Sequence, residues 1–296
     1  MKKSLSLISL ICLTCFSSCD IYEQDEFASE VIVEAYLFAL EPLPTVRLSR
    51  TVSFGRAYDF ERQAVSNANV SILLLDKNGL IEKEYIHRES ERGVYYPDQK
   101  EELVLPRRTY ELVVTLPNSD LILRSTTIVP DTFSIVNISA DTLVFQSDEQ
   151  LEITVTRSYY PGRQNIFIFS TESMDPRPEQ LTPFVNDFLI DDEDDLEDYR
   201  VSESPLINEG NFDVNQDGTL TITYPWIALI FFGPNRISVN AVDDNIFDFV
   251  SSRDIQTRGS TLSPGEIPAI VDHVEGGTGI FGSYARVNLD SFVKRP

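Results

Sequence analysis

The chain has 296 residues, with 47 Asp and Glu against 24 Lys and Arg, for a formal net charge of −23. Such acidity excludes a nucleic-acid binder, which needs clustered Lys and Arg on the phosphates, and excludes charge-driven adhesion to an anionic bilayer. With 42% hydrophobic residues the chain can build one large or two ordinary cores, and its like charge keeps it dispersed.

Lys2 and Lys3 open the chain, Leu5 to Phe16 are mostly apolar, and small Ser17 and Ser18 precede Cys19. A positive start, a short apolar core and small residues at the cut describe a secretory signal. A cysteine directly after the small pair adds a lipid acceptor. Residues 1–18 therefore read as a lipoprotein signal peptide and Cys19 as the lipid attachment point. Cleavage elsewhere and an intact anchor are the alternatives. The apolar stretch is shorter than the roughly 20 residues of a spanning helix, and Cys12 and Cys15 follow poorer cleavage residues, Ile11 and Thr14. These three are the only cysteines, so the exported body has no disulfide framework and depends on its apolar core. Residues 19–29 form an acidic tether. Asp20, Glu23, Asp25 and Glu26 in it resemble the surface-export signal of Bacteroidetes lipoproteins, which implies a lipid-anchored, surface-exposed place in the outer membrane.

From residue 30 the pattern is β. The runs 31–38, 45–54, 68–76, 80–88, 93–97, 109–117 and 121–129 are short, rich in β-branched and aromatic residues, and separated by turn signals. Lys77-Asn78-Gly79 between two of them predicts a hairpin, because both turn residues of Asn-Gly tolerate positive φ. Regular short strands without helical periodicity predict a β-sandwich over residues 30–130. Ala68, Val70, Tyr95 and Tyr110 lie in strands that resemble the prealbumin-like or carboxypeptidase-regulatory sandwich. Val129-Pro130-Asp131 is the predicted boundary.

Residues 131–296 read as a second β-rich domain with one or two short helices. Runs 133–145, 151–160, 164–173, 219–224 and 236–243 are strand-like, and 245–258 has the spacing of a short amphipathic helix. Residues 174–210 are a proline-punctuated acidic excursion with a short helix near 179–190. Residues 225–233, PWIALIFFG, are continuously apolar, too short to span a bilayer as a helix, and expected to be a buried strand or a packed helix. The predicted fold class is thus mainly β: an N-terminal Ig-like or prealbumin-like sandwich followed by a second β-rich domain.

Chemistry-bearing motifs are few. Asp213, Asn215 and Asp217 imitate the first half of a calcium loop, but Tyr224 stands where an EF-hand places its bidentate Glu, and a strand-like run follows. A plain turn is the competing reading. The acidic run 191–198 reads as a solvated loop. His87 and His273 lie in unrelated segments without the spacing of a zinc site. His273 beside Asp272 is a possible pair, no G-x-S-x-G elbow occurs, and paired carboxylates of a glycan hydrolase are open because 47 acids offer too many pairs. No catalytic residue and no cofactor is assigned, calcium remaining a possibility. Residues 55–66 and 174–210 are candidate contact loops.

Glu275 to Tyr284, EGGTGIFGSY, is the most distinctive segment. Closely spaced glycines suit positive φ or close backbone approach. Together with the lipoprotein signal and Leu48-Ser49-Arg50-Thr51, this segment resembles the Bacteroidetes family of domain of unknown function 4249. The resemblance implies an outer-membrane lipoprotein encoded near TonB-dependent transporters. The expected function is that of a non-enzymatic accessory or binding partner of such a receptor. A structural or adhesive surface protein and a carboxylate-based hydrolase are the alternatives.

Overall fold

The computed structural model describes residues 27–53, 55–117, 119–188, 195–257 and 270–296. Cys19, Asp20, Glu23, Asp25, Glu26 and residues 191–194 of the acidic run lie outside them. Seven strands come first: β1 (Val31–Phe38), β2 (Val46–Arg50), β3 (Asn69–Leu75), β4 (Ile81–Glu91), β5 (Val94–Pro97), β6 (Thr109–Thr115) and β7 (Ile122–Ile128). They lie in the order β1-β2-β5-β4-β3-β6-β7. Alternation puts Val31, Val33, Ala35 and Leu37 of β1 and Tyr110, Leu112 and Val114 of β6 into one core. Tyr95 and Tyr110, both fully buried, direct their hydroxyls to the backbone: Tyr95 Oη donates to Val65 O at 2.8 Å, and Tyr110 Oη accepts from Leu105 N at 2.8 Å. Each phenol thus fills the core and satisfies a loop that crosses it.

The β3–β4 hairpin forms at the Lys77-Asn78-Gly79 signal. Only Gly79 has positive φ (+77°). The turn is closed by Asp76, whose Oδ1 accepts from the backbone N–H of Asn78 and Leu80, each at 2.8 Å. These bonds lower the Asp76 pKa below the ordinary carboxylate value. An aspartate before the turn redirected it, as side-chain caps do.

The rest of the chain adds β8 (Ile135–Ile138), β9 (Thr142–Val144), β10 (Leu151–Val155), β11 (Ile166–Ser173), β12 (Val201–Glu203), β13 (Ile207–Asn208), β14 (Asp213–Val214), β15 (Leu220–Tyr224), β16 (Gly233–Val242) and β17 (Thr278–Lys294). The helices are α1 (Phe60–Gln63), α2 (Pro183–Phe188) and α3 (Asp244–Thr257), with short 3-10 turns between strands. The fold is mainly β, as the sequence predicts. A four-stranded sheet, β14-β15-β10-β8, contributes Leu151, Ile153, Leu220 and Ile222 to a second core, against Phe167, Phe169, Ile237 and Val239 of the large sheet. Residues 225–233 depart from expectation in shape. They form a 3-10 turn, Trp226–Ala228, and then irregular chain, yet Leu229, Phe231 and Phe232 are buried as their apolarity demands.

The last strand joins the two halves. Residues 278–284 of β17 pair in parallel with β1, from Ile32↔Thr278 to Phe38↔Tyr284. On its other edge β17 pairs antiparallel with β16, from Val242↔Tyr284 to Gly233↔Val293. Phe281 enters the first core, whereas Ala285, Leu289 and Val293 enter the second. Upstream of β17, Glu275 exchanges backbone hydrogen bonds with Arg124 of β7 at 2.8 and 3.1 Å. The far edge of the first module is thereby met by the segment leading into β17, which blunts an edge that would otherwise be open to pairing.

Candidate functional site

Three elements meet at the glycine motif. β17 lies beside β1, under α3 and close to β7. At Gly279 (φ +115°) an added Cβ would stand 2.1 Å from Val33 O, so only glycine lets β17 enter the ladder there. At Gly282 an added Cβ would stand 2.4 Å from Ile246 Cδ1; the missing side chain is the space into which α3 settles.

Ser283, between these contacts and the cleft, belongs to a buried polar chain. Asp243, with no solvent exposure, precedes α3, and its Oδ1 accepts from Ile246 N at 2.9 Å as a helix cap. Its Oδ2 is hydrogen-bonded to Thr127 Oγ1 of β7. Thr127 Oγ1 meets Ser283 Oγ at 2.6 Å, and Ser283 Oγ donates to Ile128 O at 3.1 Å. Asn245 extends the junction, donating to Thr126 O at 2.8 Å and Phe281 O at 2.7 Å. Burial pushes the Asp243 carboxyl up to about 6, against hydrogen bonds from Thr127, Ile246 and Ser283 that pull it down.

Beyond this junction Ile246, Phe249, Val250 and Arg253 of α3 and the sheet bound a cleft of about 390 Å³, within the size range of small-ligand sites. Tyr36 and Phe38 of β1 and Tyr284 of β17 line the sheet side; Phe249, Val250 and Arg253 of α3 face them. Phe38 and Tyr284 are stacked at 5.1 Å between centroids, with Tyr36 tilted at 6.1 Å from Tyr284. Arg286 lies over the Phe38 ring at 4.4 Å, and its Nε donates to Asn240 Oδ1 at 2.5 Å. Asn240 is fixed in turn by donating to Ile168 O at 2.9 Å. Burial and then the carboxylates of Glu34 and Glu203 push the Tyr36 hydroxyl up to about 12; burial first, and then Tyr36, raise that of Tyr284 further. Both phenols therefore keep their protons at physiological pH.

A family model described as "Domain of unknown function (DUF4249)" matches residues 18–289. The chain belongs to the DUF4249 family. No curated protein matches it. Among solved structures, Salmonella alpha-2-macroglobulin reacted with methylamine is similar over 90% of this DUF4249 chain at 11% identity and a TM-score of 0.23; the chain spans 15% of its length. A tetra-tandem repeat in the extending region of a large adhesion protein is similar over 90% of this chain and 50% of its own, at 11% identity and a TM-score of 0.22. Three N-terminal domains of the bacteriophage RB49 Hoc capsid protein match over 90% and 71%, at 10% identity and a TM-score of 0.24. Scores of this size establish neither a shared fold nor a shared function.

Residues singled out from the DUF4249 sequence are scattered. Asp213 and Asn215 lie on the β14 side of the β14–β15 hairpin, at whose tip Asp217 Oδ1 already accepts from Thr219 N (3.0 Å) and Thr219 Oγ1 (2.7 Å), and Asn215 Nδ2 donates to Thr219 and Thr221. Among the described residues no group of three or more His, Cys, Asp or Glu is arranged to hold a metal. The hairpin is closed by its own bonds, so its melting temperature is expected to be unchanged by chelator or added calcium; a rise of several degrees with calcium would contradict this. His87 is buried, its nitrogens 3.1 Å from Tyr85 O and 3.0 Å from Pro44 O, and burial lowers its pKa. His273 pairs with Asp248 of α3 at 2.7 Å and not with Asp272. Asp272 instead accepts from Thr278 Oγ1 and, at 3.1 Å, from Gly279 N, steadying the start of β17. Of the two candidate contact loops, 174–210 reaches the cleft, through Glu203 and Ser204. Tyr284 closes the glycine motif, but Tyr36, Phe38 and Arg286 carry no motif of their own. The available signal was aromatic residues at the outward positions of β1, where a solvated face is ordinarily polar.

Proposed function

We propose that this protein is an outer-membrane lipoprotein, anchored through Cys19, that serves without catalysis as an accessory and binding partner of a TonB-dependent transporter. The single observation that carries the binding role is the aromatic, arginine-bearing cleft built on β1, the strand that begins two residues after the tether ends. The tether is followed in sequence by β1, an interior strand of the large sheet between β17 and β2. The resemblance in Cys19, the acidic tether and the terminal glycine motif supports the membrane and transporter context. Among the described residues no helix is long and apolar enough to cross a membrane.

The test is affinity purification of the lipoprotein from outer membranes in mild detergent. A TonB-dependent receptor is expected to copurify in near-stoichiometric amount. Recovery as a free monomer under those conditions would refute the accessory role.

A further inference from the structure

We propose that the cleft under α3 takes a small acid with an apolar body, its carboxylate held by Arg286 and its body laid among Tyr36, Phe38 and Tyr284. This inference rests on reading the protein as a binding module and names the ligand chemistry of that site. Arg286 is held on two sides before any ligand arrives: Nε is committed to Asn240 Oδ1, and one face of the guanidinium covers Phe38. The two Nη groups remain as a fork, the geometry that suits a carboxylate. No carboxylate of the described residues forms an ion pair with it, although among the described residues eleven other arginines pair with acids.

The remaining polar groups suit the same ligand. The Tyr36 and Tyr284 hydroxyls have no hydrogen-bond partner among the described residues, and burial keeps both protonated. They offer donors to the second carboxylate oxygen or to a polar substituent of the ligand. Among the described residues Glu203 is the single acid lining the cleft, and charges farther off are screened beyond about 8 Å at physiological salt. Stacked rings and Ile168, Ile280 and Val250 provide apolar walls against which a hydrophobic body can lie.

The experiment is calorimetric titration of the full mature lipoprotein in detergent with four probes: phenylacetate, 2-phenylacetamide, and a tripeptide ending in phenylalanine as free acid and as amide. At least one acid is expected to bind, about tenfold or more tighter than its neutral amide. Arg286→Gln is expected to remove that difference, and Tyr36→Phe to weaken binding a few-fold, each without lowering the melting temperature by more than a few degrees. Stronger binding of phenylacetate identifies a free small acid as the ligand form, and stronger binding of the peptide acid identifies a chain terminus. Equal binding of acid and amide, or no binding by any probe, would overturn the proposal. Binding of an acid by a protein that copurifies with no transporter would leave this inference standing and refute the accessory role instead.

Discussion

Protein carrying Gly279→Ala is expected to be recovered unfolded, or with a melting transition displaced so far that little native protein remains at 37 °C. The added methyl would meet Val33 O at 2.1 Å and Val33 N at 2.8 Å, both backbone atoms of β1 in the parallel ladder, so no rotamer change relieves the contact. Its φ of +115° adds a strain that L side chains rarely bear. Separating β17 from β1 exposes the first core at Val33 and Phe281 together. A loss above about 4 kcal/mol is expected, comparable to the whole stability of many domains. Gly162→Ala is the matched control. Gly162 also has positive φ (+80°), but nothing stands within 4 Å of its added Cβ, so only the backbone penalty of about 1 kcal/mol applies. Circular dichroism melts of the two variants decide the matter. A Gly279→Ala protein melting within a few degrees of Gly162→Ala would show that the strand junction yields.

The second large effect concerns Asp243 and depends on pH. Three contacts run in series from Asp243 Oδ2 through Thr127 and Ser283 to Ile128 O. Thr127 donates to Asp243 Oδ2, and Ser283 donates to Ile128 O. Ionised, Asp243 is a charge held away from solvent in a fully buried place, and its few donors do not offset the lost hydration. The neighbours do not compensate: Asp244 pushes the pKa further up, the Tyr160 and Tyr284 hydroxyls remain protonated, and Arg163 is engaged by Asp244 at 2.6 Å and by Val242 O at 2.8 Å. Thr127 and Ser283, from β7 and β17, carry no charge.

The folded chain holds the Asp243 proton more tightly than the unfolded chain, about 6 against 3.8. The contribution is therefore complete below the unfolded value and is lost as pH rises through 6, an effect of about 3 kcal/mol. In Asp243→Asn no charge is buried at any pH, while the carbonyl oxygen still caps Ile246. That variant is thus expected to exceed the parent by about 1 kcal/mol near pH 4.5 and by about 3 kcal/mol at pH 7.5, and to flatten the difference in urea midpoint between those pH values. Asp243→Ala is expected to lose about 3 kcal/mol or more at both, since cap and series fail together. Identical pH profiles for parent and Asp243→Asn would sink the account.

How far the fold could be read from sequence depended on whether the information was local. The seven strands of the first module fall within a few residues of their runs because alternation is visible in each, as in Val31, Val33, Ala35 and Leu37. β12, β13 and β14 are two or three residues long in a polar, proline-rich stretch, and so short a segment has no period to detect. Residues 225–233 carried a burial signal but no shape signal; Pro225 and the 3-10 turn after it set the path. The pairing of β17 with β1 joins residues about 245 positions apart, and nothing near either strand specifies it. The glycines announced close approach without naming what approaches. Tyr36, Phe38, Tyr284 and Arg286 form a site only once that pairing has brought β1 and β17 together.

The same pairing orders events in time. Among the described residues β1 is the first strand and β17 the last. Until β17 is in place, one edge of β1 has no partner. Joining them requires closing a loop of most of the described chain, which is slow relative to local hairpins.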